Sequence, residues 1–525
     1  MLIDRRNFLS SGAAAAAASY VGSLGVLGRQ QQAARRPQWK LTTSEEYDPE
    51  TVIPYSGDHS RVYRHIDEHI DDHLTNLKSW LRQPSISAQN TGITEMADLV
   101  RRTFLSLGCS EAELVPTDGH PGVWGYYDAG AEKTLMVYLM YDVQPVNPED
   151  WEVPPFEGAV VDHRLGRVLM ARGATNQKGP ERAFLNALES IVAVEGKLPV
   201  NLMFTAEGEE ELGSPHYEQV VAPFENRLRT ADGVLFPFNS QNPRGSVGLN
   251  LGVKGILYME LEASGAMMGK GPGAAEIHGS YKAVVDSPVW HLVGALSTLV
   301  APDGNTIMVD GYYDPVQPPS AADQRLINRL IGHWDDDLIK QALNVPAWID
   351  GWNRTDAVLH YLYDPTLNID GIWGGYTGEG VKTILPHKAT AKVDSRLPPG
   401  CDPDTAFDMI ARHLERRGFG DIEIRRLSGY PPSKTPVDNP LIQDGIAVYR
   451  KYGQTPTIWP HLAGSAPFYV FTERLGLPLL MFGMGHGSGA HSVDEYMVIE
   501  PAAGSEVAGL AELEKAYVDL IYAVA

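Results

Sequence analysis

Two adjacent glutamates, Glu210 and Glu211, stand shortly after an apolar run, Asn201–Thr205, that predicts a buried strand. Neighbouring carboxyl groups repel each other when both are ionised, so the pKa of one should be raised unless a cation lies between them. A carboxylic acid with a raised pKa beside an ionised carboxylate is an arrangement for acid/base catalysis. The alternative interpretation is a pair of solvated charges at the end of a strand.

Other side chains that could do chemistry also follow apolar runs. Asp142 comes directly after the run Thr134–Tyr141, and His491 lies beyond the run Pro478–Phe482. In open α/β sheets, active sites form at the carboxyl ends of the strands. The sequence therefore predicts an active site at the carboxyl ends of the strands.

The elements that must position these residues alternate along the chain. Strand-like runs are separated by helical segments such as Gly179–Val194, which is typical of an α/β sheet with helices on both faces. Earlier in the chain, Val62–Leu81 predicts one amphipathic helix, because its apolar residues recur at helical spacing. The composition changes near Ala263, and the region up to Arg396 has mixed α and β patterns. We therefore predict a second domain inserted into the first.

Several short segments together resemble the dipeptidase, carnosinase-like branch of the M20 family of di-zinc metallopeptidases. They are Tyr141-Asp142-Val143-Gln144-Pro145, Ala171-Arg172-Gly173-Ala174-Thr175, Lys178-Gly179-Pro180, Glu207-Gly208-Glu209-Glu210-Glu211-Leu212-Gly213-Ser214, Asn368-Ile369-Asp370-Gly371-Ile372-Trp373 and Ala490-His491-Ser492. The resemblance runs from about residue 62 to the C terminus.

The resemblance implies an α/β, M20-type catalytic domain, in which a central mixed sheet is flanked by helices, with an inserted α+β lid that also mediates dimerisation. The expected divisions are a signal and linker, the first part of the catalytic domain, the lid, and the second part of the catalytic domain, over 1–40, 41–252, 253–396 and 397–525.

The family places five metal ligands at strand ends, and the residue type matches at two of them, Glu211 and His491. Met140 stands where the resemblance implies a histidine, Asn176 where it implies a bridging aspartate, and Phe238 where it implies an acidic ligand. A thioether suits Cu(I) rather than zinc, a neutral carboxamide brings no negative charge between two dications, and a benzyl ring has no lone pair. We therefore expect no di-zinc centre.

The remaining matches carry roles that the resemblance implies. Glu210 matches the general base. Asp142 would orient the lost histidine, so here it either needs a new partner or takes part in proton transfer. His278 matches a histidine that family dimers present to the substrate across the subunit interface. Arg396 and Ser465 match a clamp for a substrate carboxylate, a task suited to the guanidinium fork.

These assignments give two groups of candidate residues. The predicted catalytic groups are Glu210, Glu211, Asp142, His278 and His491. The predicted substrate-binding groups are Arg396, Ser465, Met140, Asn176 and Phe238.

Composition and the N terminus limit location and partners. The chain has 525 residues, 43% hydrophobic and 21% charged, as in a globular protein with a core, and its net charge of −23 argues against nucleic acid as a partner. Arg5 and Arg6 precede an uncharged, Ala-rich stretch over 10–27, which is the pattern of a twin-arginine signal, and a polar linker follows over 29–40. We expect export to the periplasm or the exterior, with no membrane association afterwards.

These observations favour one function and leave two alternatives open. We expect an exported, homodimeric M20-fold enzyme without a metal cofactor that uses glutamate acid/base chemistry on a small peptide-like or amino-acid-derived substrate with a free carboxylate. The reaction would be amide hydrolysis, rearrangement, cyclisation or acyl transfer, possible steps of a secondary-metabolite pathway. The alternatives are a non-catalytic binding protein, in which Met140 and Phe238 hold a ligand, and a residual dipeptidase with a single weakly bound zinc.

Overall fold

The structure is a computed structural model that describes residues 36–525, apart from the side chain of Ala342. The predicted twin-arginine signal, with Arg5 and Arg6, lies outside these residues. Within the described part of the chain, every helix is too short or too polar to cross a lipid bilayer.

The α-helices over residues 36–525 are, in chain order, α1 Ser60–Glu68, α2 Ile70–Arg82, α3 Ile93–Leu107, α4 Lys178–Glu195, α5 Tyr217–Val221, α6 Glu225–Leu228, α7 Pro288–Leu299, α8 Ala321–His333, α9 Asp336–Leu343, α10 Arg354–Tyr363, α11 Pro403–Arg416, α12 Pro440–Lys451 and α13 Leu510–Ala523.

The strands over the same residues are β1 Glu111–Val115, β2 Gly122–Tyr127, β3 Thr134–Met140, β4 Ala159–His163, β5 Gly166–Met170, β6 Asn201–Glu207, β7 Gly233–Pro237, β8 Gly248–Asn250, β9 Gly252–Val253, β10 Gly255–Ser264, β11 Ile277–His278, β12 Asn368–Trp373, β13 Ile384–Leu385, β14 Lys388–Leu397, β15 Glu423–Tyr430, β16 Ser433–Lys434, β17 Thr457–Trp459, β18 Leu479–Phe482, β19 Gly487–Ser488 and β20 Tyr496–Pro501.

The central sheet has the strand order β1-β2-β6-β3-β7-β18 and is mixed. β3 pairs in parallel with β6 and β7, and β7 with β18, whereas β1 and β2 join antiparallel. Along β3, Leu135 and Leu139 pack into one apolar cluster, while Met136 and Met140 pack into another on the opposite face. Because both faces are covered, these strands are continuous apolar runs. The predicted α/β class, a mixed sheet flanked by helices, is confirmed.

The prediction of one continuous helix over Val62–Leu81 is wrong, because the helix is interrupted at one residue, His69. The chain forms two helices, α1 and α2, that meet at His69, whose φ of −115° and ψ of 16° interrupt the helix. Both helices bury their apolar faces against the same core. The apolar spacing therefore continues across the break, and the sequence gives no sign of it.

The second sheet, β12-β14-β10-β15, is antiparallel throughout. Leu257 and Leu261 of β10 share an apolar cluster with Leu292 of α7 and Ile410 of α11. β15 and α11 follow the boundary predicted at Arg396. The sheet extends past that boundary because β10 pairs with β14 along one edge and with β15 along the other.

Two helices of the region predicted as the lid, α8 and α10, form an apolar cluster of their own, which Trp39, Leu41 and Trp459 also contact. We call residues 321–363 the helical insert and residues 36–47 the N-terminal strap.

The strap runs along the insert through polar contacts. The Asn328 side chain donates to the carbonyl groups of Thr43 and Glu45, each at 2.8 Å. The amide of Tyr47 donates to the carbonyl of Arg325 at 3.1 Å. Residues 42–47 of the strap are thus bonded to α8.

Candidate active site

Three neighbouring parallel strands end at one edge of the central sheet, and the loops after them carry candidate residues. β3 ends at Met140, β6 at Glu207 and β7 at Pro237. Met140 pairs with Glu207 across the ladder, so these two strands end level. Asp142 and Glu210 follow within a few residues, as the sequence predicts for the carboxyl edge of such a sheet.

Asp142 is fully buried and holds the loop that follows β6. Its two carboxylate oxygens accept hydrogen bonds from the backbone amides of Glu210 and Glu211, each at 3.1 Å. Burial raises the pKa of Asp142 to about 7, and the charge of Glu211 adds to this rise, while the hydrogen bonds from the two amides oppose it. In place of an imidazole, Asp142 therefore has backbone amides as partners, and it positions both glutamates.

Glu211 accepts hydrogen bonds from the side chains around it. Gln144 Nε2 donates to Oε2 at 2.7 Å, and Asn176 Nδ2 donates to Oε1 at 2.8 Å. His491 Nε2 lies 3.1 Å from Oε2. The hydrogen bond to Glu211 raises the pKa of His491, which favours its protonated form. Both oxygens of Glu211 have hydrogen-bond partners, so this carboxylate is fixed in place.

Glu210 has a different environment, although it is the next residue. Burial raises its pKa well above the usual range, and the charges of Glu211, Asp142 and Glu207 raise it further. Glu207 accepts hydrogen bonds from Tyr138 at 2.7 Å and from a serine, and burial raises its own pKa to about 8. The adjacent pair thus combines a carboxyl group with a raised pKa and a carboxylate that is fixed in place by donors.

Met140 and Phe238 belong to an apolar environment beside these charges. Met140 is 2% exposed and lies in a cluster with Tyr138, Phe236 and Phe468, which we call the aromatic cluster. Phe238 is partly buried against the aromatic cluster, with its ring centroid 6.1 Å from that of Phe236. Both side chains therefore belong to an apolar cluster beside the glutamates.

The loops that carry Asn176 and His491 are tied together by Glu495, a residue that the sequence reasoning missed. Glu495 is fully buried and pairs with Arg172, whose Nη1 lies 2.7 Å away. It also accepts from the backbone amides of Gly173, Thr175 and Asn176. Arg172 Nη2 donates to the carbonyl of Ser492 at 2.9 Å. This buried pair sets the distance between Asn176 and His491.

Two buried ionisable residues beneath the site were also missed. The amide of Met140 donates to Glu181 Oε1 at 2.8 Å, and burial raises the pKa of Glu181 well above its usual range. Lys178 is fully buried and donates to the carbonyl of Gln83 at 2.8 Å, and burial lowers its pKa to about 7. Lys178 opens the segment Lys178-Gly179-Pro180 at the start of α4, and Glu181 follows it in the same helix.

The predicted carboxylate clamp forms a direct contact. Arg396 Nη1 donates to Ser465 Oγ at 3.0 Å, and Arg396 Nε donates to Asp394 Oδ2 at 3.2 Å. Tyr430, at the end of β15, is close enough to both groups to feel their charges. Burial raises the pKa of Tyr430, the charge of Glu210 raises it further, and the charge of Arg396 lowers it. We call the region around Tyr430, which Arg396 and Glu210 both affect, the cleft.

His278 lies apart from the other candidate residues within this chain. It is exposed at the end of the short strand β11, and its Nδ1 lies 2.8 Å from Ser280 Oγ. The structure thus gathers Asp142, Asn176, Glu210, Glu211 and His491 at one strand edge, with Met140 and Phe238 beside them and Arg396 and Ser465 across the cleft.

The di-zinc centre that the resemblance implies does not fit these residues. Asn176 directs an amide donor at Glu211, Met140 holds its sulfur in the aromatic cluster, and Phe238 offers a ring. The two retained ligands, Glu211 and His491, bond to each other, whereas zinc sites use at least three protein ligands. Among residues 36–525, no group of three or more His, Cys, Asp or Glu side chains is arranged to hold a metal ion.

Comparison with known proteins relates this geometry to a family. Residues 137–516 match the family described as peptidase family M20/M25/M40. A Cys-Gly metallodipeptidase of Schizosaccharomyces pombe is 29% identical over 467 residues, which cover 84% of this chain and 94% of the relative. A Beta-Ala-His dipeptidase of Rattus norvegicus is 26% identical over 405 residues, which cover 72% and 79% of the two chains.

A solved structure shares the fold over most of the chain. The crystal structure of an M20 family metallo-carboxypeptidase from Sulfolobus solfataricus aligns with a TM-score of 0.75 and 32% sequence identity. The alignment covers 86% of this chain and 97% of that one.

Proposed function

We propose, on the premise that this chain belongs to peptidase family M20/M25/M40, that it is an exported enzyme that acts without the di-zinc centre of that family. The substrate would be a small peptide-like or amino-acid-derived molecule with a free carboxylate. One observation carries the proposal: Asn176, Gln144 and His491 surround Glu211 with hydrogen-bond donors where metal ions would be needed.

The residues of the cleft support proton transfer at an amide. Arg396 and Ser465 would hold the substrate carboxylate, and the aromatic cluster would cover the apolar part of the substrate. As a nucleophile bonds to the amide carbonyl carbon, its proton would pass to the Glu210 carboxylate. Glu210 would then donate this proton to the leaving nitrogen when the C–N bond breaks. A raised pKa makes Glu210 a stronger base than a solvated glutamate.

The nature of the nucleophile decides among the possible reactions. Water would give hydrolysis, an amine or hydroxyl group of the substrate would give cyclisation or rearrangement, and a second substrate would give acyl transfer. Because water is a weak nucleophile without a metal to lower its pKa, we favour attack by a group of the substrate or of a second substrate. Such a reaction would suit a secondary-metabolite pathway.

The carboxylate clamp gives the first test. We expect Arg396→Met to weaken binding of a dipeptide by about 10–100-fold, since it removes hydrogen bonds to a charged group. Binding of the same dipeptide with a C-terminal amide should not change, because this ligand lacks the carboxylate. Calorimetric titration with Cys-Gly and β-Ala-His, the dipeptides in the names of the two relatives, and with their C-terminal amides measures binding of the acid and of the amide. Equal weakening for the acid and the amide would contradict the assignment of the clamp.

A homodimer through the lid forms the other part of the proposal. β12 is an edge strand of the second sheet, and its side chains Ile369, Ile372 and Trp373 are about half exposed. Exposed apolar side chains on a sheet edge are typical of an interface. Such a dimer could bring His278 to the cleft of the partner subunit. Light scattering on the purified protein should give twice the mass of the chain, and the mass of a monomer would contradict this prediction.

A non-catalytic binding protein is the second candidate function. Two features favour it. The oxygens of Glu211 already have hydrogen-bond partners, so this residue would not react, and the aromatic cluster would hold the apolar part of a ligand. The two candidates differ in whether any ligand that occupies the clamp is also converted.

A further inference from the structure

We propose that the N-terminal strap positions the carboxylate clamp: Arg36 and Trp39 hold Asp364, and Asp364 fixes the segments that carry Arg396 and Ser465. The inference rests on the function proposed for the clamp, and it adds two positioning residues that are far from it in sequence.

The strap contacts Asp364, which follows α10 directly and is only 3% exposed. Arg36 Nε pairs with Asp364 Oδ2, and Trp39 Nε1 donates to Oδ1 at 2.6 Å. His360 Nδ1 lies 2.7 Å from Oδ2. Two of these three partners come from the strap, so without it a buried carboxylate would lose most of its compensation.

The strap residues are themselves held by aromatic rings of the insert. The Arg36 guanidinium lies 4.4 Å from the centroid of the Trp352 ring, and Trp352 stacks on His360 at 4.1 Å. The rings of Trp39 and Tyr363 are 6.0 Å apart. An arginine that is both stacked and paired has little freedom to leave its carboxylate.

The second step leads from Asp364 to the turn that contains Ser465. Lys254 is 1% exposed, and its Nζ donates to the carbonyl groups of Tyr361 and Asp364, each at 2.7 Å. Its backbone amide donates to the carbonyl of Gly464 at 3.0 Å. Ser465 Oγ donates to the carbonyl of the next residue, Gly255, at 3.0 Å. Lys254 thus joins the end of α10 to the serine of the clamp.

The third step leads from Asp364 to the arginine of the clamp. Thr366 is two residues further along the chain, and its amide donates to the carbonyl of Arg396 at 3.2 Å. The amide of Arg396 donates in return to Thr366 Oγ1 at 3.0 Å. A displacement of Asp364 would therefore reach both halves of the clamp through direct contacts.

Hydrogen exchange followed by mass spectrometry tests the inference without a substrate. In Arg36→Ala, we expect exchange to rise by about tenfold in peptides that cover 361–366 and 394–397, the change expected when hydrogen bonds to a charged group are lost. Exchange in 134–140, the central strand β3, should not change. Arg36→Lys keeps the charge, and Trp39→Phe keeps an aromatic ring but lacks the indole donor, so both should show smaller increases in exchange. These two variants replace Arg36→Ala in the test if that variant does not fold.

Lys40→Ala is the matched control, because Lys40 is an exposed residue of the same strap. It should leave exchange unchanged in both regions. Unchanged exchange at 361–366 and 394–397 in the Arg36 and Trp39 variants would overturn the inference, and so would an equal rise at 134–140, which would indicate general loss of stability.

Ligand binding provides the readout that a purely structural role would not move. Arg36→Ala should weaken binding of glycylglycine by about tenfold and leave binding of glycylglycine amide unchanged. Equal weakening of both would overturn the positioning role. If neither native chain nor variants bind glycylglycine, the proposed function of the clamp fails, while the exchange experiment still decides whether the strap orders 361–366 and 394–397.

Discussion

Turnover by the Glu210→Gln variant is expected to fall about 10²–10⁴-fold below that of the native chain, the usual contribution of a general acid–base group. Glutamine keeps the size of the side chain and its hydrogen-bonding capacity but can neither take up nor release the proton. The backbone amide of Glu210, which Asp142 holds at 3.1 Å, is untouched by the substitution. Binding of the substrate should therefore be retained.

The measurement requires a converted substrate, which a panel of dipeptides and acylated amino acids, assayed by mass spectrometry, would provide. Glu113→Gln on the edge strand β1 is the matched control: it makes the same chemical change at an exposed site and should leave turnover unaltered. Undiminished turnover in Glu210→Gln would exclude Glu210 as the proton carrier. A ligand that binds the clamp but is never converted would favour the binding protein.

The triple variant Met140→His, Asn176→Asp and Phe238→Asp is expected to acquire about two zinc ions per chain. These substitutions return an imidazole and two carboxylates to the strand edge, where Glu211 and His491 already stand. Asn176 Nδ2 is 2.8 Å from Glu211 Oε1, so a carboxylate at 176 would repel Glu211 unless cations lie between them. Metal binding would thus relieve a repulsion that the native amide avoids.

The structure shows solvent access at one of the substituted positions. Phe238 is only partly buried, so an aspartate there can reach solvent. Metal content after dialysis, measured by atomic emission, gives the result, and adding Glu211→Gln to the triple variant should abolish binding. A triple variant that melts cooperatively yet retains no zinc would show that the backbone has also lost the geometry of a metal centre.

Much of the fold could be predicted because burial on both faces makes strands easy to recognise. β3 extends over Thr134–Met140 and β6 over Asn201–Glu207, close to the predicted runs. The resemblance to the M20 family, which rests on short motifs at strand ends, is confirmed by the match over residues 137–516. The loops after such strands must meet at one edge, so the proximity of Asp142 and Glu211 follows from topology.

Contacts between distant segments could not be predicted, since no local pattern encodes them. Arg172 and Glu495 are 323 positions apart, and only the folded chain shows that they pair. Arg36 and Asp364 are separated by 328 positions, and the sequence predicts Arg36 to lie in a polar linker over 29–40. The break at His69 stayed hidden for another reason, because the apolar spacing continues across it.

Two of the substitutions at the strand edge lower its negative charge. A di-zinc centre balances several carboxylates with cations, and this site has a carboxamide at 176 and a benzyl ring at 238 where the resemblance implies carboxylates. Asn176 presents a hydrogen-bond donor where the resemblance implies an aspartate. The raised pKa of His491 favours its protonated form, which offsets the charge of Glu211. The cleft thus keeps its electrostatic balance by hydrogen bonds.

Metal analysis of the native chain, purified from cells grown with zinc and without chelators, tests the central claim most directly. The account predicts zinc far below about one ion per chain and an activity, where one is found, that survives chelation. Near-stoichiometric zinc that survives dialysis, together with dipeptidase activity that is lost on chelation and restored by zinc, would contradict it.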